Sequence, residues 1–193
     1  MGKRNGKEIA AFIDRDGTVI KEKDYLCKIK DIELFPQTAR ALKLLKGAGF
    51  KLILVTNQSG IGRGYFSEKK LLQVHAALEK ILSKKGVKFD AIYYCPHAPE
   101  AACGCRKPNL GMVKLAEKKF NIDLKRSYSI GDHKGDFMLG KKMGGKGVFV
   151  LTGHGKSEYK KLSDDPLSPR PDKVEKNIYS AAKWIVSDKT HEN

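Results

Sequence analysis

Ile9-Ala10-Ala11-Phe12-Ile13-Asp14-Arg15-Asp16-Gly17-Thr18 is the stretch on which the fold turns. Five apolar residues in a row, with isoleucine at both ends, suit a strand covered on both faces, and the run stops abruptly at polar residues. Similar runs follow at Lys51–Val55, Ala91–Tyr94, Ser127–Ile130 and Gly147–Leu151. Between them lie helical patterns. Thr38–Lys46 carries Ala41, Leu42 and Leu45 and stops at Gly47 and Gly49, while Ser67 can cap a helix through Ser83 whose apolar face holds Leu71, Val74, Leu78, Ile81 and Leu82. Met112–Phe120 and Phe137–Met143 mark two more. Strands alternating with helices predict an α/β fold, an open parallel sheet with helices on both faces. In such sheets ligands bind beyond the carboxyl ends of the strands.

Those ends carry the polar residues. The first strand leads into Asp14 and Asp16, the second into Thr56-Asn57-Gln58-Ser59, and the fourth into Gly131-Asp132, with Asp136 four residues on. The third leads into a cysteine loop and then Arg106-Lys107-Pro108. A chain of 193 residues suits a single domain, with a core over about residues 8–151 and an extension over 152–193. That extension holds a Pro-rich stretch, 164–171, expected as an irregular loop, and a terminal helix over Asn177–Val186 with Trp184. The basic start lacks a signal-peptide core and no segment has the length of a bilayer span, so a cytoplasmic, soluble protein is expected. Thirty-eight Lys and Arg against 22 Asp and Glu give a formal charge of +16, which favours anionic partners without choosing among nucleic acid, membrane and phosphorylated small molecules. A basic surface kept for solubility accounts for it equally well.

Asp14 and Asp16 stand two apart at a strand end, so in extended backbone they project to one side. With Asp132 and Asp136 from another strand they would repel strongly unless a hard cation sat among them. Mg²⁺ fits, because it takes few carboxylates and leaves room for water and a substrate phosphate. One carboxylate can then attack phosphorus, and the other can protonate the leaving oxygen. Thr56 can hold phosphoryl oxygens, and Lys107 can neutralise charge in the transition state. A lone Asp-x-Asp-Gly-Thr is also an ordinary strand-to-turn junction. The ordered set, each member after a strand pattern, is harder to produce by chance. Asp136 could equally support the following helix.

Cys95-Pro96-His97, a five-residue gap, then Cys103-Gly104-Cys105 brings three thiolates and an imidazole within one short segment. That ligand set suits tetrahedral Zn²⁺, and a closed four-ligand site is structural. The metal would stiffen the loop that carries Arg106 and Lys107. Cys27 stands alone, most simply as a buried or semi-buried thiol.

The set Asp14/Asp16, Thr56, Lys107 and Asp132/Asp136 resembles the haloacid dehalogenase (HAD) superfamily of aspartyl-phosphate phosphatases over roughly Glu8–Leu151. The resemblance implies Asp14 as nucleophile and Asp16 as proton donor, with Mg²⁺ on Asp14, the backbone carbonyl of Asp16, and Asp132. No inserted stretch is long enough for a separate cap domain; Val19–Phe35 offers only a flap, in which Glu22, Lys23, Asp24 and Tyr25 reach the substrate. The run Ile92–Met112, together with Thr56–Gly64, is similar to the zinc-loop sugar-bisphosphate phosphatases of that superfamily, a branch that shares its metal ligands with histidinol-phosphate phosphatases. By position, Thr56, Asn57, Gln58 and Ser59 line the pocket, Thr56 and Lys107 hold the phosphoryl group, and Arg106 recognises substrate.

Other residues have smaller claims. Arg63 reads first as a solvated loop cation and second as a contact to a distal phosphate, His75 as structural or solvent-facing, and His154 first as part of a flexible turn and second as a border of the pocket. Superfamily members that are polynucleotide 3′-phosphatases also carry Thr-Asn-Gln before Gly-Ile-Gly-Arg-Gly. Against that reading stand the zinc loop and the shortage of aromatics for stacking bases. A binding module without catalysis has no use for clustered carboxylates. The expected partner is therefore a phosphorylated small molecule, with neither nucleic acid nor membrane, and the protein is expected to be a monomer.

Overall fold

The computed structural model describes residues 6–191; of the basic N-terminus read above, residues 1–5 lie outside it. In chain order the elements are β1 (Ile9–Ile13), α1 (Thr38–Gly47), β2 (Phe50–Asn57), the single turn α2 (Ser59–Gly62), α3 (Glu68–Lys84), β3 (Ala91–Cys95), α4 (Gly111–Phe120), β4 (Tyr128–Gly131), α5 (Lys134–Lys142), β5 (Lys146–Val150), α6 (Gly155–Asp164), β6 (Lys173–Glu175) and α7 (Ile178–His191). All six strands join one sheet in the order β3-β2-β1-β4-β5-β6, and every pairing is parallel.

The expected fold class holds. β1 is buried at every position because both faces of the sheet are covered. Its alternate residues Ile9, Ala11 and Ile13 meet α1, α3 and α7 through Leu42, Leu45, Val74, Leu78, Ala181 and Ile185. Ala10 and Phe12 face the other way, onto Met112, Val113 and Ala116 of α4 and Leu139 of α5. Ser67 caps α3 as expected, its Oγ accepting from Lys70 N at 3.4 Å.

The tail differs from its expected outline. The residues after Leu151 contain α6, whose helical signal is thin because Tyr159 and Leu162 are almost all of its apolar stripe, set against Phe137 and Phe149. The tail also adds β6 beside β5, and α7 packs along α1. Ile178, Ala181, Ala182 and Ile185 are fully buried in the principal core.

Growth of the sheet reverses at β1, with β2 and β3 on one side and β4 to β6 on the other. In this topology the crevice at the reversal point is where ligands bind. The register places Ile13 level with Leu54 of β2 and Ile130 of β4. Asp14, Thr56 and Asp132 therefore leave the sheet within a residue or two of one level, and Asp14 N donates to Ile130 O at 2.9 Å.

Candidate active site

Lys107 occupies the centre of the floor. Its buried ammonium donates to Asp14 Oδ1 at 2.5 Å and Val55 O at 2.8 Å, and pairs with Asp136 Oδ1 at 2.6 Å. Burial by itself would lower its pKa, but Asp136 and Asp14 raise it above the ordinary lysine range. Asp136 has a second duty: its Oδ2 accepts from His133 N at 3.0 Å and caps α5, so the supporting role open to it in the sequence is real. Gly131 leaves the space into which that carboxylate folds back.

Asp132 lies beneath the floor, fully buried, and its ligand oxygen falls within 4.8 Å of those of Asp14 and Asp136. His154 N donates to Asp132 Oδ2 at 2.8 Å, while Oδ1 has no hydrogen-bond partner among the described residues. Gly17 and Gly153, both at positive φ, pack so tightly around this carboxylate that neither has room for a Cβ. Burial, first, and then neighbouring carboxylates push Asp132 up to about 9; for Asp14 burial outweighs the opposing pull of Lys107 and pushes it up to about 8. A buried oxygen without a partner amid mutually raised carboxylates is the donor set of a hard cation, and these residues fit Mg²⁺.

Asp16 is held differently. Arg15, only 1% exposed, donates from Nε to Oδ1 and Oδ2 of Asp16 at 3.1 and 3.0 Å, and its Nη2 stands 2.8 Å from Oδ2. Gln58 Nε2 donates to the same Oδ2 at 2.9 Å and to Thr56 Oγ1 at 2.8 Å. Thr56, accepting there, keeps its own hydroxyl hydrogen to donate. Asn57 grips the Lys107 peptide, its Oδ1 accepting from Lys107 N at 3.0 Å. Arg15 is satisfied further by Gln58 Oε1 at 3.1 Å and by His75 Nε2 at 3.3 Å.

These groups open into a cavity of about 400 Å³. Asp14, Asp16, Thr56, Asn57, Gln58, Ser59 and Lys107 form its inner wall, Glu22, Lys23, Asp24 and Tyr25 the flap side, and Arg106 the cysteine-loop side. Every substrate-contacting residue expected from sequence thus faces one space. Burial, then Asp16, pushes Glu22 up to about 7. Tyr25, at φ 51°, is braced edge-on by Tyr65 with ring centroids 4.7 Å apart. Arg63 is not on this wall; it pairs with Glu100 at 3.3 Å in solvent. His133, Lys134, His154 and Glu158 line the far rim. Sequence reasoning missed Lys134 and Glu158 because they belong to α5 and α6, whose starts were misplaced or unseen. It missed Arg15 and the contact it makes with His75, although a histidine on the buried stripe between Leu71 and Leu78 is a legible sign of a buried polar partner.

In the cysteine loop the ligand atoms converge. The three sulfurs of Cys95, Cys103 and Cys105 are 3.2 to 3.4 Å apart, and His97 Nδ1 lies 3.3 Å from Cys105 Sγ and 3.7 Å from Cys95 Sγ. The sulfurs are unbridged. Ligands of a tetrahedral zinc with bonds of about 2.3 Å stand about 3.8 Å apart, so the cluster fits zinc after a small expansion. Two glycines seat the loop. Gly62 N of α2 donates to Pro96 O at 2.8 Å and Gly111 N of α4 to Gly104 O at 2.9 Å, and a Cβ at Gly62 would fall 2.7 Å from Ala98 N.

A parallel sheet with an Asp pair after its central strand, a Thr after the next and a buried Lys–Asp floor is the arrangement of a HAD-type phosphoryl-transfer site. The family model described as polynucleotide kinase 3 phosphatase matches residues 8–163, and the chain belongs to that family. It is 39% identical over 163 residues to the D-glycero-alpha-D-manno-heptose-1,7-bisphosphate 7-phosphatase of Photorhabdus laumondii, covering 80% of this chain and 89% of that one. It is 43% identical over 161 residues to the D-glycero-beta-D-manno-heptose-1,7-bisphosphate 7-phosphatase of Haemophilus ducreyi, covering 79% and 86%. Among solved structures, the D,D-heptose 1,7-bisphosphate phosphatase of B. bronchiseptica, complexed with magnesium and phosphate, superposes with a TM-score of 0.82 at 28% identity, covering 93% of this chain and 99% of that one.

Proposed function

We propose that this chain is a magnesium-dependent phosphatase that removes the C7 phosphate of D-glycero-D-manno-heptose 1,7-bisphosphate by way of an aspartyl-phosphate on Asp14. The observation that carries this reading is that Asp14 and Asp16 face one cavity from opposite surroundings, Asp14 clamped to Lys107 on the floor and Asp16 to Arg15 and Gln58 on the wall. Two carboxylates in unlike environments can take unlike roles. An Asp14 oxygen attacks phosphorus, the bond from phosphorus to the sugar oxygen breaks, and that oxygen leaves with the proton of Asp16. Asp16, now ionised, takes a proton from water as the water attacks the phosphoryl group. The Asp14–phosphorus bond then breaks and inorganic phosphate departs. The Thr56 hydroxyl holds an equatorial oxygen, and the Lys107 ammonium, its protons shared among Asp14, Asp136 and Val55 O, neutralises the charge that grows beside it. Mg²⁺ held by Asp14, the Asp16 carbonyl and Asp132 supplies positive charge that offsets repulsion between carboxylate and phosphate.

The second phosphate of a bisphosphate finds cations on the cavity wall in Lys23, Arg106 and Lys134. Binding a remote dianion helps to orient the reacting one. In this reading the enzyme works in the cytoplasm as a monomer. Heptose 1,7-bisphosphate should show a kcat/KM at least roughly tenfold above histidinol phosphate, about 1.4 kcal/mol in transition-state binding. The family model's description favours a second reading, a polynucleotide 3′-phosphatase, so a 3′-phosphorylated oligonucleotide belongs in the same panel and should be poor. A better rate on the oligonucleotide or on histidinol phosphate would transfer the assignment to that substrate. Asp14→Asn should leave no more than about 1% of turnover with the fold intact.

A further inference from the structure

His75 lies in the middle of α3, 60 residues from Arg15, and is only 4% exposed, yet no step above uses it. Its Nε2 stands 3.3 Å from Arg15 Nη1. A guanidinium has donors and no acceptor, so this contact is a hydrogen bond only if Nε2 is bare and the ring carries its proton on Nδ1. The remaining Arg15 nitrogens go to Asp16 and Gln58. Gln58 in turn donates to Asp16 and to Thr56. Asp16 Oδ2 therefore receives several donors while Oδ1 receives one, which leaves Oδ1 as the oxygen that can carry a transferable proton.

We infer that His75 is a positioning residue for leaving-group protonation: its bare Nε2 fixes the Arg15 guanidinium, which aims Asp16 Oδ1 at the departing oxygen. This rests on the reading of Asp16 as proton donor. Burial, with Arg15 beside it, holds His75 down at about 4, which keeps the ring neutral. The charged and titratable groups around the ring are Arg15 and Asp16 from the β1 loop, and Tyr94 from β3, whose ring centroid is 5.8 Å away and whose hydroxyl donates to Glu68. A protonated His75 would set donor against donor and cation against cation at Arg15, and the aim of Asp16 would be lost.

A test needs a readout that loss of packing alone would not move. kcat/KM reports the steps up to departure of the leaving group. A sugar alkoxide needs a proton to leave, whereas the acetate released from acetyl phosphate does not. His75→Leu should lower kcat/KM for heptose 1,7-bisphosphate by roughly tenfold or more, while acetyl phosphate changes by less than about twofold. His75→Gln, whose Oε1 can accept from Arg15, should restore most of the loss. Asp16→Asn is the control for the underlying reading and should show the same substrate selectivity, more strongly. If Asp16→Asn is selective and His75→Leu slows both substrates alike or neither, the inference falls. If Asp16→Asn is itself unselective, the donor reading falls instead. Imidazole ¹⁵N NMR of the wild-type protein gives an answer that does not depend on a variant folding. It should show His75 neutral with Nδ1–H at pH 5.5, and a bare Nδ1 or a charged ring there would overturn the inference.

Discussion

Lys107 places its three ammonium protons inside the protein, on Asp14, Asp136 and the Val55 carbonyl, and so orders the nucleophile, the α5 cap and the end of β2 together. Removing one partner from a buried ionic cluster leaves uncompensated charge, at a cost of about 3–5 kcal/mol. Lys107→Ala should therefore slow every substrate and lower the melting temperature. The half-exposed Arg106 side chain donates to His97 O at 3.4 Å and takes no part in that buried cluster, so it can be removed without the penalty. Arg106→Ala should weaken the bisphosphate more than a small monophosphate, read as a change in relative kcat/KM. The carboxylates make a second prediction. Asp14 and Asp132 sit above their ordinary pKa in the fold, so the stability they contribute is complete below about pH 4 and is lost as pH rises towards about 8 and 9. In magnesium-free buffer the contribution of this pair to the melting temperature should fall between pH 5 and 9. Added Mg²⁺ should remove that decline, and Asp14→Asn should flatten it without Mg²⁺. Melting curves for both proteins, with and without Mg²⁺, check it; a difference between them that does not vary with pH would show that the buried carboxylates are not the cause.

At the scale of elements, the cysteine loop joins β3 to α4 and is seated on backbone at Gly62 and Gly111 rather than on a core of its own. A structural zinc supplies about 10–16 kcal/mol of apparent binding energy in isolated finger peptides, comparable to the whole stability of a domain. Here the sheet has an independent core, so losing the metal should free the loop without unfolding the protein. Protein prepared without chelators should hold about one equivalent of zinc, and Cys103→Ala should lose it. That variant should also melt lower and bind substrate poorly through displaced Arg106. Elemental analysis and a melting curve read both effects, and zinc-free wild-type protein would end the structural-zinc reading. The Gly-Ile-Gly-Arg-Gly run shared with the polynucleotide branch has a packing reason here. Gly60 gives way to Phe66 and to the Tyr25 ring, 2.9 Å from where its Cβ would be, and Gly62 to the loop backbone. It therefore says more about how α2 fits under its neighbours than about which substrate is taken.

For the whole molecule, part of the +16 charge has a place in the fold away from the chemistry. In a parallel sheet with return helices, helix carboxyl ends gather opposite the active site, and the last turns of α1, α3, α4 and α5 carry Lys46, Lys84, Lys118, Lys119, Lys141 and Lys142. Cations there complement the helix dipoles, which gives these six lysines a role that needs no polyanionic partner. The residues after Leu151 belong to this unit rather than to an appendage. A chain ending at Leu151 would expose the sheet surface now covered by Ile178, Ala181, Ala182 and Ile185 and leave β5 as a bare edge. We expect that truncation to lose cooperative thermal unfolding and to aggregate, as read by circular dichroism and light scattering. A sharp transition near the full-length value would show that the first 151 residues suffice.

Local chemistry made much of this legible in the sequence. Five of the six strands, and with them the positions of Asp14, Asp16, Thr56 and Asp132, are written in apolar runs that end in polar residues, because a strand buried on both faces leaves no other pattern; the cap of α3 and the Cys95, His97, Cys103 and Cys105 cluster are legible from residue type and spacing. β6 and α6 were not legible: three half-buried residues and a two-residue apolar stripe are shaped by neighbours already in place. Only tertiary structure decided that Arg15 would be a buried clamp and not a surface cation, that His75 would meet it from the middle of α3, and that Arg63 would turn to Glu100 and away from the cavity. The physical reason is common to all three. What a polar side chain does depends on which partner reaches it within hydrogen-bond distance, and that distance is set by the packing of elements far apart in the chain.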